Sequence, residues 1–167
     1  KVVGTVMENM VISPGAITPS PCGNNNYTGI WLQLASNTVI RNSEVSHVEY
    51  VGCSAENATA VLLYDSDTTR IHNNEIRDSH VGIGDKEGSE NTIIELNYLH
   101  DFVFSAWLIQ GFDTTRCDPT PNCPVTGLRF RYNVVEDAAG GVRMNLYGTP
   151  NVDTDLDVYN NTLYNVG

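Results

Sequence analysis

One short pattern, apolar-x-x-Asn-x-apolar, recurs six times in this chain and constrains its fold more than any other feature. The copies are Val6-Asn9-Val11, Ile40-Ser43-Val45, Ile71-Asn74-Ile76, Ile94-Asn97-Leu99, Phe130-Asn133-Val135 and Val158-Asn161-Leu163. Five hold Asn at the centre, and Ser43 is a small polar substitute. Successive central residues lie 23 to 36 positions apart, too irregular for helical repeats of fixed length but natural for a solenoid whose loops vary. Around each centre, apolar and polar residues alternate as half-buried strands require, and no helical i, i+3, i+4 stripe appears. A further strand-like element follows in most coils: GIWLQL at 29–34, AVLLY at 60–64, VGIG at 81–84, AWLIQ at 106–110 and GVRMN at 141–145. The pattern predicts an all-β parallel β-helix of about six coils, each with at least three short strands.

The repeated Asn has a physical role in such a stack. At a sharp turn, its amide can donate to one neighbouring coil and accept from the other, satisfying polar groups that stacking buries. Asn9, Ser43, Asn74, Asn97, Asn133 and Asn161 are therefore expected to form a ladder along one turn, with coils about 4.8 Å apart.

This pattern resembles the pectate-lyase-like superfamily of right-handed parallel β-helices, in which an asparagine ladder lines one turn. The resemblance spans essentially the whole chain and implies a right-handed solenoid. That fold is shared by lyases, hydrolases, epimerases, phage tailspikes and non-enzymatic surface proteins, so function has to be argued from the site.

Twenty Asp and Glu against nine Lys and Arg give a net charge of -11, which would repel nucleic acid and anionic membranes over most of the molecule. No apolar run is long enough to insert in a membrane. The four cysteines lie outside any C-x-x-C spacing, which points to disulfides in an oxidising compartment, extracellular or at a cell surface. Polar loops carry Cys22 and Cys53 on adjacent coils, and Cys117 and Cys123 flank DPTPN, so the expected bridges are Cys22–Cys53 and Cys117–Cys123. Neither end reads as a cap. Residues 1–167 are accordingly expected to be one β-helix segment, internal to a longer chain or a unit that stacks end to end on itself.

Aligning the strands after the glycines places Gln33, Tyr64, Lys86, Gln110 and Asn145 in one outward column, and Trp31, Leu62, Gly84, Leu108 and Arg143 in a second. Amides and aromatics in a row suit a sugar chain, through hydrogen bonds to hydroxyls and ring stacking. Lys86 lies in GDKEGSENTIIELNYLHD, which resembles the lysine-bearing coil of alginate and chondroitin B lyases. That resemblance implies a base next to a uronate carboxylate, which needs a cation to stabilise the enolate-like charge. The family places an arginine on the next coil. Here Ile109-Gln110 occupies that place, and Arg143 follows one coil further on. The candidate catalytic pair is thus Lys86 and Arg143, with Trp31, Gln33, Tyr64, Gln110 and Asn145 binding substrate.

Another column, Ser13, His47, Asp78, Asp101, Asp137 and Asn165, offers carboxylates for acid–base work, or else residues that close a turn. Asp65, Asp67, Asp85, Glu87 and Glu90 fall where turns of neighbouring coils are expected, making calcium the one cofactor suggested. The functional expectation is a secreted or surface β-helix that binds or processes an acidic polysaccharide. Its rival is a non-enzymatic structural or adhesive solenoid.

Overall fold

The computed structural model describes residues 2–18, 26–52, 57–111, 126–146 and 155–167. β1 (Val2–Val3) stacks on β6 (Ala35–Ser36) one coil later, and the first coil runs through β2 (Val6–Glu8), β3 (Val11–Ile12), β4 (Gly15–Ile17), β5 (Tyr27–Gln33) and β6. The second holds β7 (Val39–Arg41), β8 (Glu44–Tyr50) and β9 (Ala58–Tyr64), and the third β10 (Arg70–His72) and β11 (Glu75–Lys86). β12 (Ile93–Glu95) and β13 (Tyr98–Gly111) make the fourth, β14 (Leu128–Arg131), β15 (Val134–Ala138) and β16 (Val142–Leu146) the fifth, and β17 (Leu156–Tyr159) and β18 (Thr162–Val166) the sixth. All strand pairs are parallel between successive coils, so the chain forms a parallel β-helix.

The first sheet has the order β17-β14-β12-β10-β7-β2, and the second β18-β15-β13-β11-β8-β3. A third stretch joins β5, β9, the last part of β11, the last part of β13 and β16. Where three separate short strands were expected, coils three and four run the second and third together. β11 and β13 remain continuous through residues in the left-handed region, Asp78 (φ 49°) and Asp101 (φ 59°). His47, Asp137 and Asn165 share that conformation at the equivalent places. Asp, Asn and His tolerate it better than most side chains, so this column makes the bend of the second to sixth coils, while Ser13 of the first does not adopt it.

Inward residues of successive coils stack into one core that includes Ile40, Ile71, Ile94 and Phe130 from the first sheet, and Val45, Ile76, Leu99 and Val135 from the second. The amide column follows from this stacking. Asn74 Nδ2 donates to Asn97 Oδ1, Asn97 Nδ2 to Asn133 Oδ1 and Asn133 Nδ2 to Asn161 Oδ1, at 3.0–3.1 Å. Ser43 N donates to Asn74 Oδ1, and Met10 N donates to Ser43 Oγ.

The first coil departs from the expected frame. β2 pairs Met7 with Ile40, and β3 pairs Ile12 with Val45, so Met10 occupies the ladder place and Asn9 the place before it. Asn9 has φ 56°, like Asn42, Asn73 and Asn160 at the same point of their coils. Its side chain suits the left-handed turn and takes no part in the ladder.

Cys22, Cys53, Cys117 and Cys123 lie outside the described residues, and so do both expected bridges. Among the described residues no helix is long and apolar enough to cross a membrane.

Candidate functional site

The third stretch carries the residues singled out for sugar contact. Its register aligns Gln33, Tyr64, Lys86, Gln110 and Asn145 in one row and Trp31, Leu62, Gly84, Leu108 and Arg143 in the next. Strand alternation sets both rows on the outer side, because Ile30, Leu32, Val61, Leu63, Ile83, Trp107 and Ile109 between them belong to the core.

The outer side is not uniformly open. Trp31 is 49% exposed and Gln33 is exposed, with Tyr64 half-buried, whereas Lys86 and Gln110 are each only 4% exposed. Leu62 and Leu108 are fully buried although they lie outside the core cluster. The middle of the stripe is therefore covered, and its most open part, Trp31 and Gln33, lies in the first coil, with Tyr64, Arg143 and Asn145 half-buried. A cavity of about 400 Å3 borders that part, lined by Thr5, Met7, Trp31, Leu32, Gln33 and Ala35.

Lys86 is held in place, with Nζ donating to Asn57 Oδ1 at 2.9 Å. Arg143 does not join it. Its row partner is Leu108 of the intervening coil, and its guanidinium lies over the Phe104 ring, 3.8 Å from the centroid. Base and cation are thus two strands apart, and the cation is engaged by an aromatic face. The sequence could reveal the spacing but not these contacts, because Phe104 and Asn57 lie outside the aligned rows.

Asp85 corrects the expected acidic turn. It pairs in register with Leu63 and Ile109, is fully buried, and has no hydrogen bond to either carboxylate oxygen. Burial pushes its pKa up to about 6, against the opposing pull of the nearby Thr92 and Ser89 hydroxyls. The strand continues one residue beyond the place where composition suggested a loop, and its alternation turns Asp85 inward. Among the described residues, no three His, Cys, Asp or Glu side chains group as a metal ion would require.

On the outer face of the first sheet, the column Arg41, His72, Glu95, Arg131 and Tyr159, whose alternating charge in the sequence implies surface ion pairs, stacks in one row. Glu95, 4% exposed, accepts from Arg70 Nε at 2.7 Å and from Arg131 Nε at 2.6 Å. Burial opposes ionisation of Glu95, but the hydrogen bonds from Arg131 and Arg70 outweigh it and hold the carboxyl below its usual range. Arg131 Nη1 also donates to Tyr159 Oη at 2.8 Å, and Tyr132 and Tyr159 meet edge to face at 5.9 Å. The alternation Leu-Arg-Phe-Arg at 128–131 turns Leu128 and Phe130 into the core and leaves Arg129 and Arg131 on this face.

Stacked parallel coils, a ladder turn and a long outward face define a β-helix of the pectate-lyase-like kind. A family model described as periplasmic copper-binding protein (NosD) matches residues 10–104, more than half of the 167, and the chain belongs to the NosD family. A solved alginate lyase from Paenibacillus sp. str. FPU-7 is similar in fold, with a TM-score of 0.52 and 13% identity, over 93% of this chain and 57% of that one. The chain thus spans little more than half of that enzyme's length, and at this identity the likeness concerns the fold alone. No curated protein matches the sequence.

Proposed function

We propose that the protein is an exported β-helix, periplasmic or extracellular, that binds a polysaccharide on the open end of the third stretch. The carrying observation is Trp31, half exposed, in a row adjoining that of Gln33 and Tyr64, which pair with each other across the first two coils. An indole face stacks on a sugar ring while an amide and a phenol bond its hydroxyls. The NosD description supports the compartment, and the fold likeness to an alginate lyase supports a polysaccharide as the ligand class.

Binding is proposed in preference to cleavage. An elimination needs the base and the neutralising cation at one sugar residue, whereas Lys86 is engaged with Asn57 and Arg143 with Phe104. Copper, named in the family description, favours imidazole, thiolate and thioether donors. The described residues do not fit it. Among the described residues no three His, Cys, Asp or Glu side chains come together as a metal requires: His47 contacts Ser13 and Asp78, His72 contacts Asn73, His80 contacts Tyr50, and His100 contacts Asp101 and Glu75.

A glycan array carrying neutral and acidic polysaccharides, paired with an assay for unsaturated sugar ends, tests the proposal. Expected are binding that weakens about tenfold or more in Trp31→Ala, and no new unsaturated ends. Release of such ends, lost in Lys86→Ala, would replace the binding reading with a lyase. Failure to bind any glycan would leave the structural or adhesive solenoid.

A further inference from the structure

We propose that the outer face of the first sheet, from Arg70 to Tyr159, is a second interaction surface, whose ligand is a carboxylate-bearing polysaccharide strand lying along the stack. This goes beyond the Trp31 reading and involves a different sheet.

Charge distribution is the first argument. Of nine Lys and Arg in a chain of net charge -11, Arg41, Arg70, Arg129 and Arg131 all lie on this sheet, against the carboxylates of Glu8, Glu95 and Asp157. A surface field reaches only about 8–10 Å at moderate salt, so this face can attract anions although the molecule as a whole is acidic. Acidic turn residues Asp67 and Glu90 precede the strands. The favourable track therefore runs on the far side of the arginines, toward Tyr132 and Tyr159.

The arginines also keep unused capacity. One carboxylate, Glu95, serves both Arg70 and Arg131, so one guanidinium charge of the trio is uncompensated. Arg129 has only a 3.8 Å approach to Asp157, and both side chains are about half exposed. A guanidinium has five N–H donors in a fork suited to carboxylates, and these contacts use few of them. The pKa of His72 is lowered by burial first and then by Arg70 and Arg41, with Glu95 opposing, as expected beside excess positive charge.

Spacing and aromatics favour a sugar polymer. Arg70 and Arg129 share one row with Ile93 between them, two strand spacings or about 9–10 Å apart, a span of the order of two linked pyranose rings. Tyr132, 48% exposed with the Arg131 guanidinium 6.0 Å above one ring face, and Tyr159, 37% exposed and bonded to Arg131 through its hydroxyl, stand beside the same track.

The test measures binding of alginate oligosaccharides, neutral dextran and a DNA duplex at low and raised salt. The proteins compared are the wild type, Arg70→Ala/Arg129→Ala, Asp157→Asn and Trp31→Ala. Expected is salt-sensitive alginate binding that falls about tenfold or more in the double variant, strengthens a few-fold in Asp157→Asn, and persists in Trp31→Ala. Removing the exposed Asp157 carboxylate need not disturb folding, and a thermal scan of the double variant separates lost binding from lost structure. Alginate binding that ignores both arginines, or that vanishes in Trp31→Ala alone, overturns this surface and leaves the Trp31 reading standing. Equal, arginine-dependent binding of the DNA duplex overturns the assignment to polysaccharide, and no alginate binding by the wild type overturns the proposal outright.

Discussion

Asp85 occupies the core place in the third coil that Leu63 fills in the second, so a carboxylate stacks in register on a leucine. Its oxygens lack hydrogen bonds and its pKa is pushed up to about 6 from 3.8 by burial. A carboxyl raised in this way is neutral and harmless to the fold below pH 3.8. Stability then declines as pH rises toward 6 and is level above it, a loss of about 3 kcal/mol. Asp85→Asn should therefore denature at higher urea than the wild type above pH 6, with the gap closing below pH 3.8. A gap independent of pH would mean that Asp85 keeps its charge compensated inside the fold.

Leu96 has φ 57° and is 52% exposed, at the place where four other coils have Asn9, Asn42, Asn73 and Asn160. An L side chain other than Asn, Asp or Gly is strained there. Leu96→Asn should raise stability by about 0.5–1 kcal/mol, read as an increase in the thermal midpoint.

The repeat made the stack legible because every coil must satisfy the same turn, and Asn97 and Asn133 recur at that turn whatever the loops do. The first coil was ambiguous because Val6 and Met7 are both apolar, as are Val11 and Ile12. Two frames fit the hydrophobic pattern, and only pairing with β7 and β8 selects the one that centres Met10. Asp85 was misread because polarity suggested a turn, whereas its orientation depends on where β11 ends. Lys86 bonds to Asn57, 29 residues away, which no local pattern links to it.

Glu95 gives the opposite pH response to Asp85. Its carboxyl is held below its ordinary value of 4.5 by Arg131 and Arg70, which overcome the effect of burial. A depressed carboxyl contributes stability that is present above pH 4.5 and lost as pH falls through its folded value. Glu95→Gln should be less stable than the wild type at neutral pH, and the difference should shrink on acidification below 4.5. Urea titrations of the two proteins across that range check the sign.

The ladder and the residue before it should respond differently to substitution. Asn97 accepts from the backbone and side-chain nitrogens of Asn74, and its Nδ2 donates to the carbonyls of Ile71 and Glu95 and to Asn133 Oδ1. Asn97→Leu strands the Ile71 carbonyl and the Asn74 N–H in a place only 2% exposed, and each unpaired buried group costs about 1–3 kcal/mol. Asn9, exposed and at φ 56°, takes no part in the ladder, and glycine adopts that conformation without steric cost. Asn9→Gly should therefore stay within about 0.5 kcal/mol of the wild type, while Asn97→Leu should lower the urea midpoint far more. Comparable losses in the two variants would put Asn9 back in the ladder and undo the first-coil register.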